Sequence, residues 1–354
     1  MPITAKSAQQ AGFAVGITAT APEYLLLSKS FADEASELRH SLDLAFGDRD
    51  NRYGNPLVGW EDTSVSITIP VEERVFPIIL GSFFSSDPTT GTSPNFVNTL
   101  KRGVTGNERK ITLFLTEGDN GIVKYTGAIA SELTITTEKD QVNAEVTFTG
   151  GTREILTGTP LTTANNGFTT LRNNRQTDIA NLTTQLNREA TFNDYYKFVA
   201  PSWVTLEYSN NYNFSSSTVV KADYGFKLMV NNNVQGEPTS LSAAGNYVQP
   251  DKYYGSFSAG FEFTAKVLNN DLKTKAENNT PQCFRIRMQN PNNTNRYFSF
   301  VFNSSEFQVV STERVGNSDD AVTQTVMVEK ANNNLTNQSL VAKVGSSIDL
   351  TTIF

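Results

Sequence analysis

Phe257, Ala259, Phe261, Phe263, Ala265 and Val267 fall at every second position, opposite Ser258, Gly260, Glu262, Thr264 and Lys266. A period of two marks a β-strand with one buried and one solvated face. A helix cannot present such a stripe, because its faces repeat every ~3.6 residues. The same alternation occurs at Leu38, His40, Leu42, Leu44 and Phe46, at Val65, Ile67 and Ile69, and at Val142, Ala144, Val146 and Phe148. Phe226, Leu228 and Val230 repeat it again. Composition supports an all-β chain. Phe (23) and Tyr (12) supply the bulky core residues, and charged residues make up 18%, below the usual ~25%. Much of the remainder is Asn, Thr and Ser, residues of turns and half-buried strands.

Along the chain, residues 1–37 are a weakly patterned leader or arm, with Tyr24–Phe31 as a strand and Asp33–Leu38 as a helical turn. A strand from Leu38 to Phe46 precedes a polar loop, Gly47–Gly59, and a strand at Thr63–Ile69. Val75, Phe76, Ile79 and Leu80 are spaced for a short helix within Glu72–Phe84, stopped near Gly81. Three strands follow at Ile111–Thr116, Ile122–Ile135 and Val142–Thr149. Gly118-Asp-Asn-Gly121 supplies a hairpin turn, and Gly150-Gly151 closes the unit. Residues 152–200 form a polar connector, with Leu171, Ile179, Leu182 and Leu186 on one face of a short exposed helix. A second unit starts with Phe226–Val230, continues through a loop at Pro238–Tyr254 and the Phe257–Val267 strand, and has a short helix at Leu268–Glu277. Strands at Phe284–Met288, Tyr297–Phe302 and Ala321–Val328 complete it before an Asn- and Ser-rich arm, 331–354.

The two units share one order: strand, long loop, strand, short helix, three strands. Leu42 matches Phe226, Val65 matches Phe257 or Phe261, Ile111 matches Phe284, and Val146 matches Val326. This predicts a duplicated module, 38–151 and 201–330, each a β-sandwich or half-open barrel with one short helix.

Several function classes lack the residues they need. The net charge of −7 supplies no basic domain for gripping phosphates. One Cys rules out an internal disulfide and a Cys-cluster metal site, and one His makes a His-rich zinc site untenable. No apolar run reaches the ~20 residues that span a bilayer. The opening Met1-Pro-Ile-Thr-Ala-Lys lacks the apolar core of a signal peptide. His40 lies on an apolar strand face and suits a core position better than proton transfer. Cys283 sits beside Arg285 and Arg287, which would favour a thiolate, yet a structural role fits better. Asp48, Asp50 and Gly54 lack the spacing and closing Glu of a calcium loop. Arg285, Arg287, Arg296, Tyr297 and Phe298 resemble a nucleic-acid platform, but strand alternation accounts for them. Asn213-Phe-Ser and Asn334-Leu-Thr are chance sequons in an Asn-rich chain. No catalytic, cofactor or metal residue stands out, so the chain is expected not to be an enzyme and to need no cofactor.

Three segments carry a family resemblance: Leu38–Phe46 with its long loop, Gly225–Val234, and above all Tyr125–Ile135 leading into Val142–Gly150. That middle segment is a Tyr-Thr-Gly strand followed by a strand ending Phe-Thr-Gly. Over 38–330 the chain resembles tail tube proteins of long-tailed (caudoviral) bacteriophages, in a two-module form. The resemblance implies a structural virion protein with no catalytic residues. Its rings stack on one another, inner strands forming a continuous β-barrel through which double-stranded DNA passes into the host. It further implies a viral tail location, assembly in the bacterial cytoplasm, and tape-measure, terminator and baseplate or tip proteins as partners, with no membrane. Two modules per chain favour a trimer with pseudo-sixfold symmetry over a hexamer. The bore should be lined by the polar strand faces, including Asn143, Glu145, Thr147, Ser258, Glu262 and Thr264, and the two long loops should reach the neighbouring ring. The rival readings are a surface β-sandwich adhesin or carbohydrate-binding protein, and a glycoside hydrolase. The first would need aromatic platforms that two Trp barely supply. The second needs a carboxylate pair that the sequence does not single out.

Overall fold

The computed structural model describes residues 12–16, 20–26, 30–40, 57–102, 108–116, 121–137, 141–184, 199–220, 225–237, 251–266, 271–304, 307–315, 322–330 and 340–354. In chain order the first elements are β1 (Gly12–Gly16), β2 (Tyr24–Leu26), β3 (Ser30–His40), β4 (Leu57–Pro70), α1 (Phe76–Phe83), β5 (Phe84–Ser86), β6 (Thr90–Thr92) and β7 (Asn95–Arg102). Next come β8 (Lys110–Thr116), β9 (Ile122–Thr137), β10 (Val142–Thr149), β11 (Thr152–Ile155) and α2 (Gly158–Thr184). The second half holds β12 (Val204–Ser209), β13 (Thr218–Val220), β14 (Phe226–Asn231), β15 (Gln235–Glu237), β16 (Asp251–Tyr253), β17 (Ser258–Lys266) and α3 (Asp271–Glu277). It ends with β18 (Cys283–Gln289), β19 (Tyr297–Phe302), β20 (Phe307–Val315), β21 (Thr323–Lys330) and β22 (Leu340–Ser346).

Among the described residues all strand pairings are antiparallel. A 12-stranded and an 8-stranded sheet pack over one core, with β15 and β16 forming a separate ribbon. Within the larger sheet, eight strands run side by side in the order β3-β4-β10-β9-β14-β17-β21-β20. This band takes four strands from each half of the chain, and it does not close on itself. Its inward face holds Val65, Ile67, Leu133, Ile135, Val146, Phe148, Leu228, Phe261, Phe263 and Val326, all buried. Phe261 touches Phe284 and Phe302 of the smaller sheet, with ring centroids 5.2 and 4.8 Å away. Aromatic contacts of this kind join the layers.

The halves share a topology. In each, the spatial order is first, second, fourth, third strand: β3-β4-β10-β9, then β14-β17-β21-β20. In each, a helix follows the second strand and packs against the third, α1 on β9 and α3 on β20. In each, the pairing of third with fourth strand carries a β-bulge. Between Thr147 and Phe148 the partner changes from Glu132 to Ala130, which leaves Ser131 extra. Between Met327 and Val328 it changes from Ser311 to Val309, which leaves Val310 extra. A bulge adds one residue and fixes the local bend, so its recurrence at matched positions is what a duplicated module requires. The registers then match Val146 with Val326, Ile67 with Phe263, Val65 with Phe261 and Phe31 with Phe226.

The smaller sheet has the order β13-β12-β18-β19-β22-β7-β5, with β6 also on β7. Strand β22 thus lies between β19 of the second half and β7 of the first. The chain then turns over α1, where Leu350 is fully buried and a Cβ on Gly81 would lie 2.6 Å from the Phe354 ring. All eight residues of α1 are buried, and Pro77 sits in its first turn, where a missing N–H costs nothing. By contrast, α3 buries no residue fully. Helix α2 packs Ala164 and Phe168 on Ala14, Phe114 and Ile122.

Several expectations need correction. Asp33–Leu38 is strand, not a helical turn, because it pairs with β4 along Ser30–His40. Of the strand expected at Leu38–Phe46, Leu38–His40 form the end of β3, and 41–56 lie outside the described residues. Phe31, not Leu42, is the counterpart of Phe226. Ile111 and Phe284 are not equivalent, since β8 lies in the larger sheet and β18 in the smaller. Strand β20 escaped the sequence reading. The arm at 331–354 contains a central strand, and the connector helix is 27 residues long, not short. The loops Gly47–Gly59 and Pro238–Tyr254 lie mostly outside the described residues.

Because β22 joins the halves, its core contacts should weigh heavily. Leu340→Ala, at a fully buried site, should cost about 2–5 kcal/mol of unfolding free energy. Tyr212→Ala, at a site 44% exposed, should change it by less than about 0.5 kcal/mol. Urea unfolding followed by fluorescence measures both.

Candidate functional site

The outward face of the band is polar because strand alternation puts every second residue there. On β4 and β10 it carries Ser64, Ser66, Thr68, Asn143, Glu145 and Thr147. On β9 and β14 it carries Glu132, Thr134, Lys227, Met229 and Asn231. Ser258, Gly260, Glu262, Thr264 and Lys266 of β17 follow, then Thr325, Met327 and Glu329 of β21. Ser311 and Glu313 of β20 complete the row. All six residues expected on the polar strand faces therefore share this one face. Asn143, only 2% exposed, is the one of them that is buried.

Side-chain hydrogen bonds tie neighbouring strands across the face: Ser66 Oγ with Thr147 Oγ1 at 2.9 Å, and Thr264 Oγ1 with Thr325 Oγ1 at 3.0 Å. Asn231 Nδ2 donates to Glu132 Oε1 at 3.1 Å where the halves meet. Gly260, without a side chain, leaves an open groove of about 400 Å³ there, lined by Glu132, Thr134, Met229, Asn231, Ser258 and Glu329. Among the described side chains of the face, Glu132, Glu145, Glu262, Glu313 and Glu329 outweigh Lys227 and Lys266. The face therefore presents negative charge, spread thinly and without a convergent cluster. Among the described residues, no group of three or more His, Cys, Asp or Glu is placed to hold a metal ion.

The individual candidates have structural surroundings. Cys283 is 1% exposed and packs with Phe214 and Val301, inaccessible to a thiol reagent. Arg285 is 2.7 Å from Glu207 and lies over the Phe214 ring, while Arg287 covers Tyr297. Arg296 is buried and donates to Pro94 O at 3.0 Å, and Phe298 is in the core against Phe76. These residues therefore form no exposed platform. Asn213 Oδ1 accepts from Ser215 N in a local turn. His40 ends β3 opposite Leu57, and Gly121, at φ +120°, precedes β9. Asp48, Asp50, Gly54, Gly118 and Asn334 lie outside the described residues. Sequence reasoning missed Glu132, Lys227, Glu313 and Glu329. Each has the same signal as Glu145, a polar residue next to core residues in a strand.

Among the described residues, the most strongly perturbed titratable contact joins β12 to α3. Tyr208 Oη donates to Asp271 Oδ2 at 2.5 Å, and Lys275 Nζ lies 3.0 Å from that same oxygen and over the Tyr208 ring. Burial, then the hydrogen bond to Asp271, pushes Tyr208 up to about 12. Burial pulls the Asp271 carboxyl upward too, but the bonds from Tyr208 and Lys275 outweigh it and leave Asp271 below its ordinary value.

The chain matches no family model and no curated protein. Solved structures similar to part of it include a chain of the virion of a native gene transfer agent particle. That likeness is at 10% identity and a TM-score of 0.27, covering 36% of this chain and 91% of that one. Another is the SPP1 tail tube solved by solid-state NMR and cryo-electron microscopy, at 14% identity and a TM-score of 0.28, covering 42% of this chain and 80% of that one. TM-scores this low support no conclusion about this protein.

The raised Tyr208 pKa has a definite sign. The neutral phenol is favoured in the folded state, so its contribution is complete below the unfolded value near ~10 and is lost as pH rises through about 12. Tyr208→Phe should remove the tyrosine that ionises late, near about pH 12, from an ultraviolet difference titration and flatten the fall in stability across that window. An unchanged titration would show that another residue is responsible.

Proposed function

We propose that this chain is a structural subunit of a bacteriophage tail tube, forming stacked rings whose bore conducts double-stranded DNA. The observation that carries this reading is the band: four strands from each of two like halves, one face packed, the other polar and net acidic, both edges unpaired among the described residues. Edges of this kind invite pairing unless they are covered or blunted, and rings of copies would cover them. Three chains supply about 24 strands, which at ~4.8 Å spacing and ~40° tilt close at roughly 48 Å between backbones. Side chains reduce that to roughly 38–40 Å, wide enough for a duplex. The polar face then lines the bore. Scattered carboxylates keep DNA phosphates off the wall by repulsion screened over ~8 Å at physiological salt, so the duplex slides without binding. The mechanism is passive and uses no catalytic group. On this reading the subunit resides in the virion tail after assembly in the host cytoplasm. It contacts its own copies along the tube, the tape-measure protein within, and terminator and baseplate or tip proteins at the ends.

Negative-stain microscopy of the purified protein should show rings or tubes. Single particles that bind polysaccharide would instead identify a carbohydrate-binding sandwich. Glu145→Lys combined with Glu262→Lys should leave assembly intact and slow DNA release from reconstituted particles, because both add positive charge to the bore. Release at the normal rate would place that face elsewhere.

A further inference from the structure

Within one chain the halves are joined by β9 and β14. Their register sets Lys227 opposite Thr136, Leu228 opposite Ile135, Met229 opposite Thr134, Val230 opposite Leu133 and Asn231 opposite Glu132. Asn232 N donates to Ser131 O at 2.8 Å, so the seam runs up to the bulge. Here β9 is the third strand of its half and β14 the first of the next. The chain's free edges are the same two strands one step further on: β20, third of the second half, and β3, first of the first half. Among the described residues each pairs on one edge only.

We propose that neighbouring copies join along a seam that repeats the internal one, with β20 of one copy antiparallel to β3 of the next and Arg314 opposite Asp33. This rests on the ring reading above and goes beyond it by fixing strands and register. The residues follow from the matched pairs. Ile135 faces Ala144 as Arg314 faces Gln324, and Glu132 faces Thr147 as Ser311 faces Met327. Leu228 faces Phe261 as Asp33 faces Val65. Transferring the internal register gives Val315 opposite Ala32, Arg314 opposite Asp33, Glu313 opposite Glu34, Thr312 opposite Ala35 and Ser311 opposite Ser36.

One observation favours this over an arbitrary edge contact: the edge of β20 carries exposed apolar residues where the internal seam is covered. Ser131 is 6% exposed, whereas its counterpart Val310 is 43% exposed and Val315 is 58% exposed. The Glu313–Glu34 pair is a cost on the solvated face, where water and salt weaken it.

The test is a cysteine pair in the full-length protein. Because Asn232 N bonds Ser131 O, the next pair, Asn231 and Glu132, is one whose strands exchange no hydrogen bonds and whose side chains approach closest. Its counterpart is Ser36 with Ser311. Ser36→Cys with Ser311→Cys should form a disulfide between copies in assembled rings, seen as covalent oligomers on a non-reducing gel. Ser36→Cys with Thr312→Cys should not, since a slip of one residue turns the side chain to the other face. The buried Cys283 stays out of the reaction. Rings seen by microscopy without the Ser36–Ser311 cross-link, or with equal cross-linking in the slipped pair, would overturn the seam and leave the ring reading standing. Neither rings nor cross-links would overturn both.

Discussion

A sheet edge exposes a row of backbone N–H and C=O groups that pair with whatever strand arrives. The fold manages this at one place, the pairing of β9 with β14, and the rest of the molecule follows from it. That pairing merges two four-strand units into one band, so neither half has a complete layer alone. The smaller sheet makes the same union on the other side of the core, with β22 between β7 and β19. The last residues of the chain then close over α1, a helix of the first half. The two halves are thus alike in topology yet interlocked in packing. Among the described residues the internal seam leaves one unpaired edge at each end of the band, and the proposed ring of copies would cover both.

The two faces of the band answer to different forces. Inward, Phe261, Phe263, Phe148 and their neighbours bury apolar surface at roughly 25 cal/mol per Å², and the ring contacts with Phe284 and Phe302 fix how the layers sit. Outward, hydroxyl pairs such as Ser66–Thr147 and Thr264–Thr325 satisfy side chains across strands, leaving few strong donors for a ligand. Carboxylates are spaced along the face without converging, and its lysines are fewer. On the proposed reading, a wall of this kind would repel phosphates weakly along its length and grip them nowhere. The arginines that would have gripped them, Arg285, Arg287 and Arg296, are engaged in the smaller sheet by Glu207, Tyr297 and Pro94.

Alternation made the long strands legible. Val65–Ile69, Val142–Phe148 and Phe257–Ala265 are buried at every second residue, and the polar partners in between are the ones that line the outward face. The short helices were legible because Val75, Phe76, Ile79 and Leu80 are spaced for one, although it runs past the expected stop at Gly81 to Phe83, and because charged residues leave only Leu272 and Ala276 of the other to pack. Less visible were segments whose strand character comes from pairing. Asp33–Leu38 is charged and resembles a helical turn, yet lies along β4. Phe307–Val315 breaks its alternation at the bulge residue Val310, and so β20 was missed. Leu340–Ser346 is short and flanked by Asn, and only its two neighbours make it central. The match of Leu42 with Phe226 failed for a related reason. Spacing alone cannot fix register, whereas the bulges at Ser131 and Val310 do.

The central claim is that two modules in one chain replace two chains in a ring, and native mass spectrometry of the smallest closed assembly tests it most directly. Three chains of 38.9 kDa give a ring of about 117 kDa, and that mass is the predicted result. A ring of six full chains, twice that mass, would contradict the account, because the band would then contribute only half of its strands to the wall.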